Sequence, residues 1–165
     1  MKRSLPVLAA LLLGGALAQT AAPLRLLLSQ ELVTVVTENG RATERLVPAP
    51  KTVRPGDTLT QVLTASNVGK TVMKGAGLMV PVPRGTVYAG GATPASARWV
   101  TQFSRDGGKT FAAAPLKKTI AVTENGQTIQ KEVVVPPSEY TNVRWVVATI
   151  QPDETLKLGF RVKVQ

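Results

Sequence analysis

Leu156-Lys157-Leu158-Gly159-Phe160-Arg161-Val162-Lys163-Val164 reads as a β-strand with one apolar and one basic face. Successive side chains of a strand point to opposite sides, so Leu156, Leu158, Phe160, Val162 and Val164 share a face, and Lys157, Arg161 and Lys163 share the other. A strand that alternates this way is half buried in an antiparallel sheet. The same period of two recurs upstream. Thr58 to Ser66 sets Leu59, Leu63 and Ala65 against Thr58, Thr60 and Thr64. Asn142 to Thr149 groups Val143, Trp145 and Val147, and Ala97 to Ser104 groups Ala97, Trp99 and Phe103. Both tryptophans have apolar neighbours of their own parity, which predicts core positions; a sugar-stacking platform is the alternative. Glu31 to Thr37, Thr43 to Val47, Val72 to Val80 and Thr128 to Val135 complete a set of eight or nine strands, and no segment after residue 30 keeps a helical period. The reading is an all-β, Ig-like antiparallel β-sandwich over residues 31–165, preceded by a linker over 19–30.

Turn chemistry supports the strand boundaries. Asn39-Gly40 and Asn125-Gly126 suit type I′ hairpins, and each closes the same five letters, V-T-E-N-G, at 36–40 and 122–126. Two readings stay open: an old duplication, or two hairpins that found the same favourable turn. Pro55-Gly56 occupies the central positions of a turn, and Pro81-Val82-Pro83 cannot donate into a ladder, so it ends a strand or lies at an edge.

Pro55-Gly56-Asp57-Thr58-Leu59-Thr60, then Thr64-Ala65-Ser66-Asn67-Val68-Gly69-Lys70, then Val80-Pro81-Val82-Pro83-Arg84-Gly85-Thr86 resemble the conserved-repeat domain of bacterial surface proteins, also called domain of unknown function eleven. The resemblance is good over 53–90 and extends to the C-terminus, where Asn142 to Val164 looks like the family's closing strand pair. It implies an Ig-type sandwich in an envelope protein and no catalytic residues. Gln61 stands where the family has an aromatic, Val80 replaces its Asp, and one copy is present instead of a tandem array. Separately, Ser104-Arg105-Asp106-Gly107-Gly108-Lys109-Thr110-Phe111 is similar to the Asp-box hairpin of sialidase propellers. Its implied role for Ser104, Asp106, Gly108, Thr110 and Phe111 is structural: side chains that hydrogen-bond the backbone of a tight reversal.

The N-terminus predicts export. Lys2 and Arg3 precede an apolar run from Leu5 to Leu13, and Ala16-Leu17-Ala18 supplies a small–x–small site, so residues 1–18 read as a secretory signal peptide cut before Gln19. The run is short for a membrane span; retention as an anchor is the alternative. The processed chain of about 147 residues suits one domain. The chain has no Cys, so core packing and backbone ladders alone must hold it. With His also absent, the usual metal ligands, thiol nucleophiles and Ser–His bases are missing. No cofactor or metal is expected.

The formal net charge is +10, and +8 once Lys2 and Arg3 leave with the signal peptide. The cations are scattered, which argues against specific nucleic-acid recognition and for either solubility or weak contact with anionic surface polymer. Lys157, Arg161 and Lys163 are the first candidates for that contact; the same residues would also discourage strand-to-strand aggregation. The expectation is a non-catalytic module, exported to the periplasm, cell surface or medium, that binds an envelope protein or an anionic surface polymer. A periplasmic chaperone or assembly factor working through a sheet edge is the alternative. A glycosidase with paired carboxylates is disfavoured, because the acidic residues fall mostly in turns.

Overall fold

The computed structural model describes residues 23–124 and 126–165. The signal segment over 1–18, its cleavage site and Asn125 lie outside the described residues. Among the described residues ten strands run in chain order: β1 (Leu24–Glu38), β2 (Arg41–Pro48), β3 (Thr58–Asn67), β4 (Met73–Pro81), β5 (Thr86–Tyr88), β6 (Trp99–Ser104), β7 (Lys117–Glu124), β8 (Gln127–Val134), β9 (Asn142–Ile150) and β10 (Thr155–Val164), with one 3-10 turn at Pro137–Glu139. All pairings are antiparallel. A five-stranded sheet, β2-β1-β3-β10-β5, packs on a three-stranded sheet, β4-β9-β6, and β7-β8 forms a separate hairpin. The all-β sandwich expected from alternation is what the chain adopts.

The alternating residues of β3, β9 and β10 fill the space between the sheets. Leu59, Leu63 and Ala65 from β3, Leu156, Leu158, Phe160 and Val162 from β10, and Val143, Trp145 and Val147 from β9 are all buried. Trp145 faces Phe160 across the layers with ring centroids 6.4 Å apart, and Tyr88, Phe103 and Tyr140 join them in one aromatic cluster. A single connected core of this kind is the main stabilising term in a chain without disulfides.

Two expectations are corrected. The linker over 19–30 is strand from Leu24 on: Leu24 to Val33 pairs with β3, and Glu31 to Glu38 pairs with β2. Arg25-Leu26-Leu27-Leu28 escapes a period-two reading because leucines stand on both faces, all three about half exposed. Trp99 is only partly buried, at the margin of the core, because β6 is an edge strand; its indole N–H donates to the Pro94 carbonyl at 2.9 Å.

The motifs that carry the family resemblance are turn locks. Gly56, at φ 94°, is the left-handed residue of the Pro55-Gly56 turn. The turn is closed by Asp57 N–H to the Arg54 carbonyl and by Arg54 N–H to the Asp57 carboxylate. It grips the end of β10, with Gly56 N–H donating to Val164 O and Val164 N–H to Asp57 O, both at 2.9 Å. Asn67, fully buried, donates through Nδ2 to the carbonyls of Thr71 and Ile150 and accepts at Oδ1 from Gly69 N–H. That one side chain ties the end of β3 to the end of β9. Its backbone also pairs with Asp153 and Glu154 in the β9–β10 turn.

Asn39 and Gly40, at φ 53° and 76°, make the I′ geometry that Asn-Gly implied at the β1–β2 turn. The two V-T-E-N-G segments sit in different surroundings. The first continues the five-stranded sheet, and the second stands in the separate β7-β8 hairpin.

Candidate functional site

The candidate surface is the outer face of the five-stranded sheet, and the register shows how it is built. On β10, Lys157 lies opposite Thr64, Arg161 opposite Thr60 and Lys163 opposite Thr58. One strand further, Arg25 faces Ser66 and Leu27 faces Thr64. Because directly opposed residues share a face, Arg25, Lys157, Arg161 and Lys163 share it with Thr58, Thr60, Val62, Thr64 and Ser66 of β3. The three residues singled out from the sequence are therefore on one face, but they are not equivalent.

Arg161 is already engaged. Its guanidinium forms a forked pair with Glu44 of β2, Nη1 to Oε1 at 3.0 Å and Nη2 to Oε2 at 2.5 Å. The hydrogen bond with Arg161 pulls the Glu44 carboxyl below its usual range, and the same contact raises the Arg161 guanidinium further. Lys157 and Lys163 are exposed and enter no ion pair among the described residues. Six residues along a strand separate them by roughly 20 Å. Lys157 and Lys163 are thus the exposed cations of β10, with Arg25 two strands away on β1; the Arg161–Glu44 pair could not be foreseen because the two residues lie 117 positions apart.

The Asp-box-like hairpin is present in full. Ser104 Oγ donates to Asp106 Oδ1 at 2.6 Å and accepts from the N–H groups of Asp106 and Gly108. The Asp106 carboxylate also accepts from Lys109 N–H, Thr110 N–H and the Thr110 hydroxyl. These donors, Ser104 first, hold its carboxyl well below the usual carboxylate range. Phe111 lies over the Arg144 guanidinium, 3.9 Å from ring centroid to Cζ, while Arg144 donates twice to Gln102 Oε1. Every oxygen of Asp106 points inward to its own loop, so the carboxylate is spent on the turn. Among the described residues no group of three or more His, Cys, Asp or Glu is placed to hold a metal ion, and no helix is long and apolar enough to cross a membrane.

A groove of about 680 Å³ runs beside the aromatic cluster, lined by Tyr88, Phe103, Pro115, Pro137 and Tyr140. The Tyr140 hydroxyl accepts from Leu116 N–H. Burial pushes the Tyr88 hydroxyl up in pKa. The groove lining is mainly apolar, with few polar atoms to orient a small ligand.

Sequence reasoning missed the residue that ties the two sheets together on this side. Thr93, in the irregular stretch after β5, exchanges hydrogen bonds with Gly159: Thr93 N–H to Gly159 O at 2.8 Å and Gly159 N–H to Thr93 Oγ1 at 2.9 Å. Its own carbonyl accepts from the Trp145 indole and the Thr101 hydroxyl. A threonine in a coil carries no periodic signal by which it could have been found. Compared with known proteins, the chain matches no family model, no curated protein and no solved structure.

Proposed function

We propose that this protein is an exported, non-catalytic Ig-like module of the cell envelope that acts by binding, with the outer face of the five-stranded sheet against an anionic surface polymer. The observation that carries the reading is the placement of Lys157 and Lys163, both exposed, on the outer face of β10 beside Thr58, Thr60 and Thr64. At roughly 20 Å they are too far apart for one small anion to reach both, whereas a polyanion lying along β10 touches the two. An exposed contact of this kind is weak, additive and screened by salt, with a Debye length of about 8 Å at physiological ionic strength. The Ig-like assignment rests on the two-sheet sandwich with Trp145 at its centre; the envelope setting rests on the turn motifs and the N-terminal signal pattern.

Capture from envelope extract at low and moderate salt tests this reading. Retention of an anionic polymer that fades with salt, and is lost in Lys157→Ala/Lys163→Ala, supports it. Retention of a single protein indifferent to salt and to both substitutions defeats it. That second outcome is the one expected of an assembly factor, a reading favoured by a different observation: β2 is exposed along its whole length, and β7-β8 pairs with no other strand.

A further inference from the structure

The sheet has an opening that neither the basic face nor the hairpins explain. β2 covers β1 only from Glu31 to Glu38, so among the described residues the first part of β1 is paired on the β3 side alone. The groups left open follow from the alternation of the ladder. The Gln30 carbonyl accepts from Ala49 on the β2 side, and the Pro23 carbonyl accepts from Val68 on the β3 side. Residues of even number therefore point to the open side, which leaves the N–H and C=O of Leu24, Leu26 and Leu28 without a strand partner.

The side chains along the same edge are unfinished too. Leu26 lies opposite Ala65 and Leu28 opposite Leu63, both core residues, so these leucines are on the core side of the sheet. Yet they are 53% and 49% exposed, because a three-stranded sheet faces a five-stranded one and stops short of them. Leu27, on the outer side, is 61% exposed. An unpaired edge with an exposed apolar strip on the core side and Leu27 on the other is a template for another strand.

We propose that a second copy of this chain fills the opening, β1 against β1 of the partner, antiparallel and centred on Leu26. In this register Leu26 pairs with Leu26, Leu24 with Leu28 and Arg25 with Leu27 across the twofold axis. Six backbone hydrogen bonds form, the core-side leucines of both copies meet, and no like charges are opposed. The exposed edge of β2 offers no comparable solution. Ladder parity requires a twofold axis on a residue, and its mid-strand choices set Arg41 against Arg45, Glu44 against Glu44, or Arg45 against Arg45. Pro48 and Pro50, beside Leu28, bound the slot and limit the incoming strand to the length of Leu24–Ser29. The contact buries on the order of 1,000 Å² in total, at the low end for a specific interface, so the dimer is a weak one. The axis is perpendicular to the sheet, which keeps both basic faces on one side. The inference stands on the β1 edge and not on polyanion binding, and either can fail alone.

Sedimentation velocity on the protein as the producing cell processes it, across a wide concentration range, tests this. A monomer–dimer equilibrium is expected. Leu26→Lys should weaken it by more than about tenfold. Leu27→Glu, at a position 61% exposed, places a carboxylate opposite Arg25 of the partner, two such pairs per dimer, and should tighten it about fivefold, while Leu27→Lys should weaken it about as much. A chain that stays monomeric throughout overturns the proposal, as does a dimer unmoved by Leu26→Lys or shifted alike by the two Leu27 variants. A monomer that instead carries a different protein on this edge also overturns it.

Discussion

Replacing Asn67 by Ala removes one side chain that completes three backbone groups. Asn67 is fully buried; its Nδ2 serves the Thr71 and Ile150 carbonyls at 2.9 and 3.0 Å, and its Oδ1 serves Gly69 N–H at 3.0 Å. Truncation orphans the Ile150 carbonyl in a buried setting, at about 1–3 kcal/mol. The other two groups are part-buried and regain water in part, adding about 1 kcal/mol together. The expected loss is about 3 kcal/mol, or about 10 °C in Tm for a chain of this length. Urea unfolding followed by tryptophan emission measures it, since Trp145 sits in the core that unfolds.

Asn67→Asp sharpens the test because it changes shape hardly at all. At neutral pH it sets a carboxylate oxygen against two carbonyls, and it should be at least as damaging as Ala. Those carbonyls raise the folded-state pKa of the new acid above its unfolded value. Its destabilisation is therefore full above the folded pKa and recedes as the pH falls through it. Measured relative to wild type at each pH, the deficit should shrink on acidification. An Ala variant within about 0.5 kcal/mol of wild type, or an Asp variant indistinguishable from wild type at neutral pH, would refute the claim that these hydrogen bonds fix the corner.

Three further outcomes follow from the same kind of reasoning. Gly159→Ala should cost about 2 kcal/mol or more, because the added Cβ would stand 2.7 Å from the Gln61 carbonyl oxygen in the middle of the β3–β10 ladder; thermal denaturation reads it. Gln61→Met should stabilise by about 1 kcal/mol in urea titration, since the buried Gln61 Nε2 has no partner and its Oε1 is met only by the exposed Gln30. Asp106 contributes stability that is complete above its unfolded pKa of about 4 and is lost as the pH falls further. Asp106→Asn should therefore flatten the acid side of the stability profile, and an unchanged acid limb would count against the role of that carboxylate.

How far the sequence discloses this molecule depends on how local the cause is. β3, β9 and β10 are legible because each has one dry and one wet face, and that alternation is written in consecutive letters. The turns are legible for the same reason: Asn39-Gly40 and Pro55-Gly56 specify backbone angles within two residues. Alternation fails first at Arg25-Leu26-Leu27-Leu28, where an open sheet edge leaves leucines on both faces and erases the period. It fails again at Trp99, whose neighbours by parity are apolar but whose strand is at an edge.

At the candidate site, the common face of Lys157, Arg161 and Lys163 follows from spacing alone. Which of them is free does not, because Glu44 approaches Arg161 from a strand far away in the chain. Gln61, read as a departure from an aromatic position, turns out to be a buried polar group in the core, and Thr93 joins two sheets through contacts that no window of sequence contains.

The proposed polymer-binding role of the outer face is tested most directly by ligand length. Titrating the protein with an anionic polysaccharide and with its own short fragments at fixed ionic strength separates a stripe of spaced cations from a pocket. If Lys157 and Lys163 act together along β10, only chains long enough to span roughly 20 Å should bind with full affinity, and shorter fragments more weakly. Lys157→Ala should then reduce the long polymer to the affinity of the short one, while Arg161→Ala has the smaller effect. Equal affinity for the fragment and the polymer, or binding that survives the loss of both lysines, would contradict it.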